Sequence, residues 1–406
     1  MDIFDKCRGD GGYLGMFRVK SDRYYTRPIL NPYPGPEMEF QGKKVIIWSI
    51  NNYLGLAGNE ELREVSVESV REYGAYAPMG SRMLTGNTTK HEALEGRLAE
   101  FERKPAAILF NYGYLGVLGT IQAIVQRSDT IVIDKLSHAC MIDATFLAGG
   151  KYRFFKHNDM DDLEKQLKLA RKAKTGGVLI VTEGVFGMRG DLAKLDIICE
   201  LKDRYEARLF VDDAHGCGVM GPTGRGTSEH FDMVDRVDLY FSTFAKAFAA
   251  IGGFTAGNEE VIRYIRYNAR THIFAKSLPM LYVDLVSATL DKIVNEPQHR
   301  ERCWVVAGML QEGLQEMGYT IGDTQSPITP VYVPAEPDVA MDMIAFLREK
   351  QHVFVSGVMY PVVPKGIILL RMIPTAAHSD EHVEKTLLAF KNLRDQYHLK
   401  LSEVHI

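Results

Sequence analysis

Two short stretches carry side chains that could do covalent chemistry together. The first is Val211-Asp212-Asp213-Ala214-His215, in which two carboxylates stand at the end of an apolar run. Carboxylates placed there are costly unless a cation meets them. Taken alone, the pair reads as one Asp capping a loop and one at the surface. The sharper reading makes Asp212 the partner of a protonated ring nitrogen. The second stretch is Ser242-Thr243-Phe244-Ala245-Lys246, where another apolar run reaches a hydroxyl pair and a lysine. An isolated lysine there would be an ordinary solvated side chain. Set among Phe244, Ala247 and Phe248, Lys246 reads as desolvated, which lowers its pKa and favours imine formation. A Schiff-base lysine and an acid that holds a pyridinium are what pyridoxal phosphate needs to act as an electron sink.

These residues need strands to aim them. Apolar runs predict strands at 45–49, 106–110, 130–134, 177–182, 208–212, 237–242 and 253–256, most of them continuous rather than alternating, as in a parallel sheet buried on both faces. Helical patterns fill the intervals. Asp159 is placed to cap a helix whose Leu163, Leu167 and Ala170 share one face, with Asp162 completing the cap. The alternation predicts a doubly wound α/β domain. After Pro279 two long helical patterns run to about Gly318. Strands near 328–333, 353–356 and 367–371 then alternate with helices near 337–350 and 379–394. The expected organisation is an arm over 1–40, a large domain over 41–295 and a smaller C-terminal α/β domain over 296–406. Gly216-Cys217-Gly218-Val219-Met220-Gly221 fits the spacing of a dinucleotide fingerprint. No helix opens within it, since Pro222, Gly224 and Gly226 follow, so it reads as an irregular loop.

Composition narrows the classes. The 406 residues are 46% hydrophobic and 25% charged, which is globular, and 48 basic against 52 acidic residues leave no surplus for a nucleic-acid backbone. Five scattered cysteines form no CxxC pair, so neither a disulfide framework nor a metal site is expected. Charges in the first residues argue against a signal peptide, and no apolar window approaches a span of about 20 residues. A cytoplasmic protein is expected, with room for peripheral contact at the inner membrane.

The DDAH and TFAKAFAAIGGF stretches resemble those of the α-oxoamine synthases, pyridoxal phosphate enzymes of fold type I that condense an amino acid with an acyl-CoA and release CO2. The resemblance continues in register through NNYLGL (51–56), GSRMLTGN (80–87), HEALEGRLAEF (91–101), ILFNYGY (108–114), DKLSHACMIDA (134–144), TEGVFGMRGD (182–191), NARTHIFAKSLP (268–279) and LRMIPTAAH (370–378). YTRPI, YNAR, TQSPITPVYV and the Val-Pro-rich 361–364 look most like the bacterial serine palmitoyltransferase branch. The resemblance implies a large, mostly parallel sheet domain with a smaller C-terminal one. It also implies that Lys246 carries the cofactor as an imine and later moves the α-proton. Asp212 would pair with the ring nitrogen, His215 would bond the phenolic oxygen, and His138 would stack on the ring. Gly113, Tyr114 and Thr243 would hold the phosphate. Asn52 and Arg371 would bind the amino-acid carboxylate. Lys276 and Ser277 would reach the phosphate site of a neighbouring subunit, making the active unit a homodimer.

The departures bear on the substrate. Where relatives read S-M-[DE]-G-D, this chain has Gly187-Met188-Arg189-Gly190-Asp191, and Lys276 replaces a small neutral residue. Both changes add a cation. An amino acid with an anionic side group would give it a partner, and the GMRGD variant resembles the cysteate acyltransferases of sulfonolipid synthesis. The expected amino acid is therefore cysteate or serine, condensed with a long-chain fatty acyl-CoA. Within the family, 2-amino-3-ketobutyrate ligase and 8-amino-7-oxononanoate synthase are the alternatives. From other classes, a non-catalytic cofactor-binding subunit would be expected to lack Lys246, and a nicotinamide dehydrogenase would need the glycine fingerprint.

Overall fold

Side chains of β-branched and aromatic type dominate the runs that form the main sheet, and in the computed structural model those runs are strands with almost no exposed residue. The structure describes residues 2–8, 27–32, 35–172, 176–360 and 362–404. Most of the expected arm, including Tyr25 and Thr26 of YTRPI, and Pro361 lie outside the described residues. The chain divides into two units. One is Asn52–Gly187 with Asp191–Arg300, and the other is Met1–Asn51, Met188–Gly190 and Glu301–Ile406.

The larger unit opens with helices α1 (Glu60–Tyr73) and α2 (Thr89–Phe101). Strands and helices then alternate as β1 (Ala106–Phe110), α3 (Gly113–Ile124), β2 (Thr130–Asp134), α4 (Ala139–Leu147), β3 (Lys151–Phe155), α5 (Met160–Lys172), β4 (Val178–Glu183), α6 (Leu195–Arg204), β5 (Arg208–Asp212), β6 (Leu239–Thr243) and β7 (Gly253–Gly257). The sheet order is β1-β7-β6-β5-β4-β2-β3. Strands β6, β5, β4, β2 and β3 pair in parallel, whereas β7 runs antiparallel to both β1 and β6. This is the doubly wound, mostly parallel architecture expected. β3 is not apparent in the sequence, because KYRFF lies at a sheet edge with all but Phe155 exposed or partly exposed and forms no apolar run. Ile108, Phe110, Val117, Ile121, Ile133, Met141, Val181, Phe210 and Phe241 pack one face of the sheet against α3 and α4.

α5 begins as its sequence dictates, with the Asp159 carboxylate accepting from the Asp162 N–H at 2.9 Å. The reciprocal bond differs from expectation. Asp162 Oδ2 accepts from the Lys156 N–H at 2.8 Å, which ties the preceding turn rather than closing a capping box. The apolar run at 45–49 also departs from the reading. Its strand is Lys43–Ile47, and it lies in a separate four-stranded sheet between Glu37–Phe40 and Val353–Phe354.

That pairing explains why residues 41–51, which the sequence places with the large domain, group with the C-terminal unit. Trp48 is fully buried there, donating its indole N–H to Thr386 Oγ1 at 2.9 Å and stacking on His378 at 3.8 Å. A three-stranded sheet completes this unit, with Leu369–Met372 between Thr329–Tyr332 and Ser356–Val358. Its helices include Pro337–Lys350 and Asp380–Tyr397. Among the described residues no helix is long and apolar enough to cross a membrane.

Candidate active site

Strand ends at one edge of the large sheet carry the reactive groups. β4 ends at Glu183 and β5 at Asp212, residues that pair in register on adjacent strands. β6 ends at Thr243, three residues before Lys246, and α4 starts immediately after His138. Carboxyl ends of parallel strands are where α/β sheets place ligands.

Asp212 is buried. Its Oδ1 accepts from the Ala214 N–H at 3.1 Å, and the Cys140 thiol lies 3.8 Å from Oδ2. Burial raises its pKa above the ordinary aspartate value, and the nearby Lys246 ammonium is the main influence that opposes the rise. An acid in this state gains most from a cation brought directly to it.

His138 is the N-cap of α4, where Nδ1 accepts from the Cys140 N–H at 3.3 Å and meets the Cys140 Sγ at 3.0 Å. Burial lowers its pKa, which keeps the ring neutral and able to lie flat against an aromatic partner. His215 Nδ1 is paired with the Tyr53 hydroxyl at 2.8 Å, and Tyr53 is itself fully buried. Lys246 is half-buried in a turn between fully buried Phe244 and Phe248, whose rings contact each other at 5.2 Å.

An anion cradle lies at the start of α3. Its N-cap, Tyr112, makes no side-chain cap bond, so the first amides of the helix are available to a ligand. Gly113 opens the helix against Thr243, and a Cβ there would fall 2.8 Å from the Thr243 hydroxyl. Only glycine permits that approach. The Thr243 hydroxyl donates to the Gly252 carbonyl at 2.9 Å and accepts from the Ala245 N–H at 3.3 Å. The Tyr114 phenol points to Asp143, whose hydrogen bond holds its pKa up near about 12.

The Asn52 carboxamide oxygen accepts from the Ala57 N–H at 3.1 Å, which orients the side chain. The Ser277 hydroxyl donates to the Gly80 carbonyl at 3.1 Å, while Lys276 is exposed. Asn52, Gly113, Tyr114, His138, Asp212, His215, Thr243, Lys246, Lys276 and Ser277 thus belong to the larger unit. Arg189 and Arg371 belong to the other unit, Arg371 on the middle strand of its three-stranded sheet.

The glycine pattern at 216–221 has a different purpose from nucleotide binding. Asp213 is fully buried, with Oδ2 accepting from the Thr227 N–H at 2.6 Å and from the Tyr240 hydroxyl at 3.1 Å. Burial pushes its pKa up to about 7. A Cβ on Gly184, Gly216 or Gly226 would lie about 2 Å from its carboxylate, whereas Gly218 and Gly221 pack against Ala247 and Glu229, so the glycines permit close approaches within the chain, the first of them around a buried acid. Sequence reasoning missed three residues that matter here. Tyr53, Cys140 and Glu183 each sit inside a quoted motif, but nothing in the residue type alone distinguishes a positioning role from packing.

These residues fit pyridoxal phosphate. Asp212 is a buried acid of raised pKa that suits a pyridinium, Lys246 supplies the amine, and the uncapped helix start beside Thr243 suits a phosphate. The sequence family described as Aminotransferase class I and II matches residues 43–390. A cysteate-C-fatty acyltransferase of Capnocytophaga ochracea is 48% identical over 398 residues, covering 97% of this chain and 95% of its own. A serine palmitoyltransferase of Sphingobacterium spiritivorum is 37% identical over 371 residues, covering 90% of this chain and 92% of its own. A solved serine palmitoyltransferase with pyridoxal phosphate superposes with a TM-score of 0.90 at 28% identity, covering 98% of this chain and 99% of that one.

Proposed function

The chain belongs to the aminotransferase class I and II family and, within it, to the α-oxoamine synthases, and from that premise we propose that it is a cysteate C-fatty acyltransferase. The overall reaction joins the α-carbon of L-cysteate to the acyl carbon of a long-chain fatty acyl-CoA. The C–S bond breaks to release CoA, and the carboxylate leaves as CO2, giving a 3-keto amine that retains the sulfonate. The observation that carries this reading is the 48% identity, over nearly the whole of both chains, to a relative with that activity, against 37% to a serine-using one.

Bound at this site, pyridoxal 5′-phosphate supplies the electron sink that makes the α-carbon nucleophilic. The chain's own residues do the rest. Asp212 keeps the ring nitrogen protonated, and neutral His138 offers a flat, uncharged face. The Tyr53 hydroxyl fixes the imidazole of His215 for the phenolic oxygen. The α3 amides of Gly113 and Tyr114, with Thr243, hold the phosphate. Lys246 supplies the amine that anchors the cofactor and then carries the α-proton away. In this reading Asn52 and Arg371 take the amino-acid carboxylate, and Arg189 and Lys276 answer the sulfonate with charge-assisted hydrogen bonds. The active unit is a homodimer in which Ser277 serves the neighbouring phosphate site. The enzyme works in the cytoplasm, and its acyl substrate draws it to the inner membrane surface.

The test compares kcat/KM for L-cysteate and L-serine with palmitoyl-CoA, following CoA release, in the parent and in Arg189→Ala and Lys276→Ala. Cysteate should lead by roughly thirtyfold or more, the value of a desolvated ionic contact, and the lead should shrink in the variants. Serine preferred by the parent, or a ratio that neither substitution moves, would leave a serine palmitoyltransferase.

A further inference from the structure

One buried acid at the reactive edge has no part in the roles assigned above. Glu183 ends β4 next to Asp212 on β5 and is 7% exposed. Its carboxylate faces two backbone amides rather than a cation. Oε1 accepts from the His138 N–H at 2.7 Å, and Oε2 accepts from the Gly187 N–H at 3.2 Å.

We propose that Glu183 is a positioning residue that fixes the ring-stacking His138 to the strand pair carrying Asp212. The two amides fix the rotation of the carboxylate, and the shorter bond is made to His138 itself. His138 is also the N-cap of α4, so one residue sets both the start of that helix and the placement of the imidazole. A buried acceptor that serves two backbone amides at once is difficult to replace, because a buried amide that loses its acceptor costs its full desolvation.

The charges around it agree with this role. Burial and the neighbouring Asp212 push the Glu183 pKa up to about 8, while the two amide bonds and Lys246 act against the rise. At the start of α4, His138 donates its backbone N–H to Glu183, and the Glu183 charge adds to the burial and the Asp212 charge that push the Cys140 thiol up.

The test is a double-mutant cycle on cofactor-loaded protein. Glu183→Gln keeps the shape but turns an NH2 toward one of the two amides. It should fold and load, lose about tenfold or more in kcat/KM with the loss in kcat, and change the visible circular dichroism per bound cofactor, which reports ring orientation. In a His138→Ala background the same substitution should cost less than about threefold. Additive losses would overturn the proposal. So would a lower Tm accompanied by parental dichroism and parental kcat per loaded molecule, because that is the result of a purely structural role. If Glu183→Gln does not fold, Glu183→Asp, which keeps both acceptors one methylene back, is held to the same readings. The proposal rests on the site being a pyridoxal phosphate pocket. A parent protein with no visible cofactor band would break that reading, whereas an additive cycle in loaded protein breaks only this one.

Discussion

Two of the places where acids converge in the larger unit are built on opposite principles. At the first, His157 is bracketed by Asp134 at 3.1 Å and Asp191 at 2.6 Å. Burial works against its charge, but the hydrogen bonds and charges of the two aspartates prevail, and the His157 pKa is pushed up to about 9. Here the protein carries its own cation, buried and held from both sides. At the second, Glu183 and Asp212 stand side by side, and the charge that opposes both is that of Lys246. In the proposed reaction Lys246 is the group that gives up its place. The first cluster is therefore satisfied once the chain folds, and the second is arranged to be satisfied by chemistry.

The largest expected effect tests the second cluster's cation. Lys246→Ala should lower condensation by on the order of a thousandfold or more, with the thermal midpoint of the apo protein held within a few degrees. Turnover near that of the parent would show that the lysine is not the amine.

Exchanging the acids between the two places sharpens the contrast. Asp212→Ala should weaken cofactor retention and cut kcat/KM roughly a hundredfold while leaving the apo fold as stable as before. Asp134→Ala should do the reverse, removing about 3 kcal/mol of stability by stranding a buried cation, with activity per folded molecule within about threefold. Matching outcomes for the two substitutions would erase the distinction.

The smallest effect is in pH. A histidine whose folded pKa is raised contributes stability that is complete below its unfolded value of about 6.5 and is lost as pH rises through the folded value. The His157 contribution should therefore fade between pH of about 6.5 and about 9. Urea denaturation of the parent and of His157→Gln should differ by on the order of 2 kcal/mol at pH near 6 and converge above pH near 9.5. A gap of constant size across that range would mean that the bracket does not depend on the proton.

Much of this was readable from the chain. Strands buried on both faces betray themselves as continuous apolar runs, so the run that ends at Asp212 and the one that leads into Lys246 are legible as strands, with the proposed catalytic residues at their ends. Edge strand β3 was not, because its Tyr152 and Phe154 are exposed and its pattern does not differ from a loop. The run at 45–49 was seen as a strand but given the wrong sheet. Its partner at 353–354 lies far along the sequence, and periodicity says nothing about pairing. Lys246, Asp212 and His138, the groups proposed to react with or hold the cofactor, announce themselves by type and motif. Glu183 and Tyr53 do not, since their importance lies in which backbone amide or ring nitrogen they reach.

The place of β7 in the sheet has a consequence for biosynthesis. β1 is the first strand of the sheet to be made, yet its neighbour in the sheet is β7, the last. Gly113 follows β1 directly, and its partner Thr243 closes β6 just before β7. While the ribosome is still short of Gly257, a nascent chain can pair β2, β3, β4 and β5 in parallel but cannot bring the two halves of the phosphate cradle together. Long-range closure of this kind is slow and leaves strand edges open in the meantime. If Gly113 and Thr243 hold the phosphate as proposed, the cofactor has no complete seat until the sheet is finished, and loading becomes a report that the large unit has been completed.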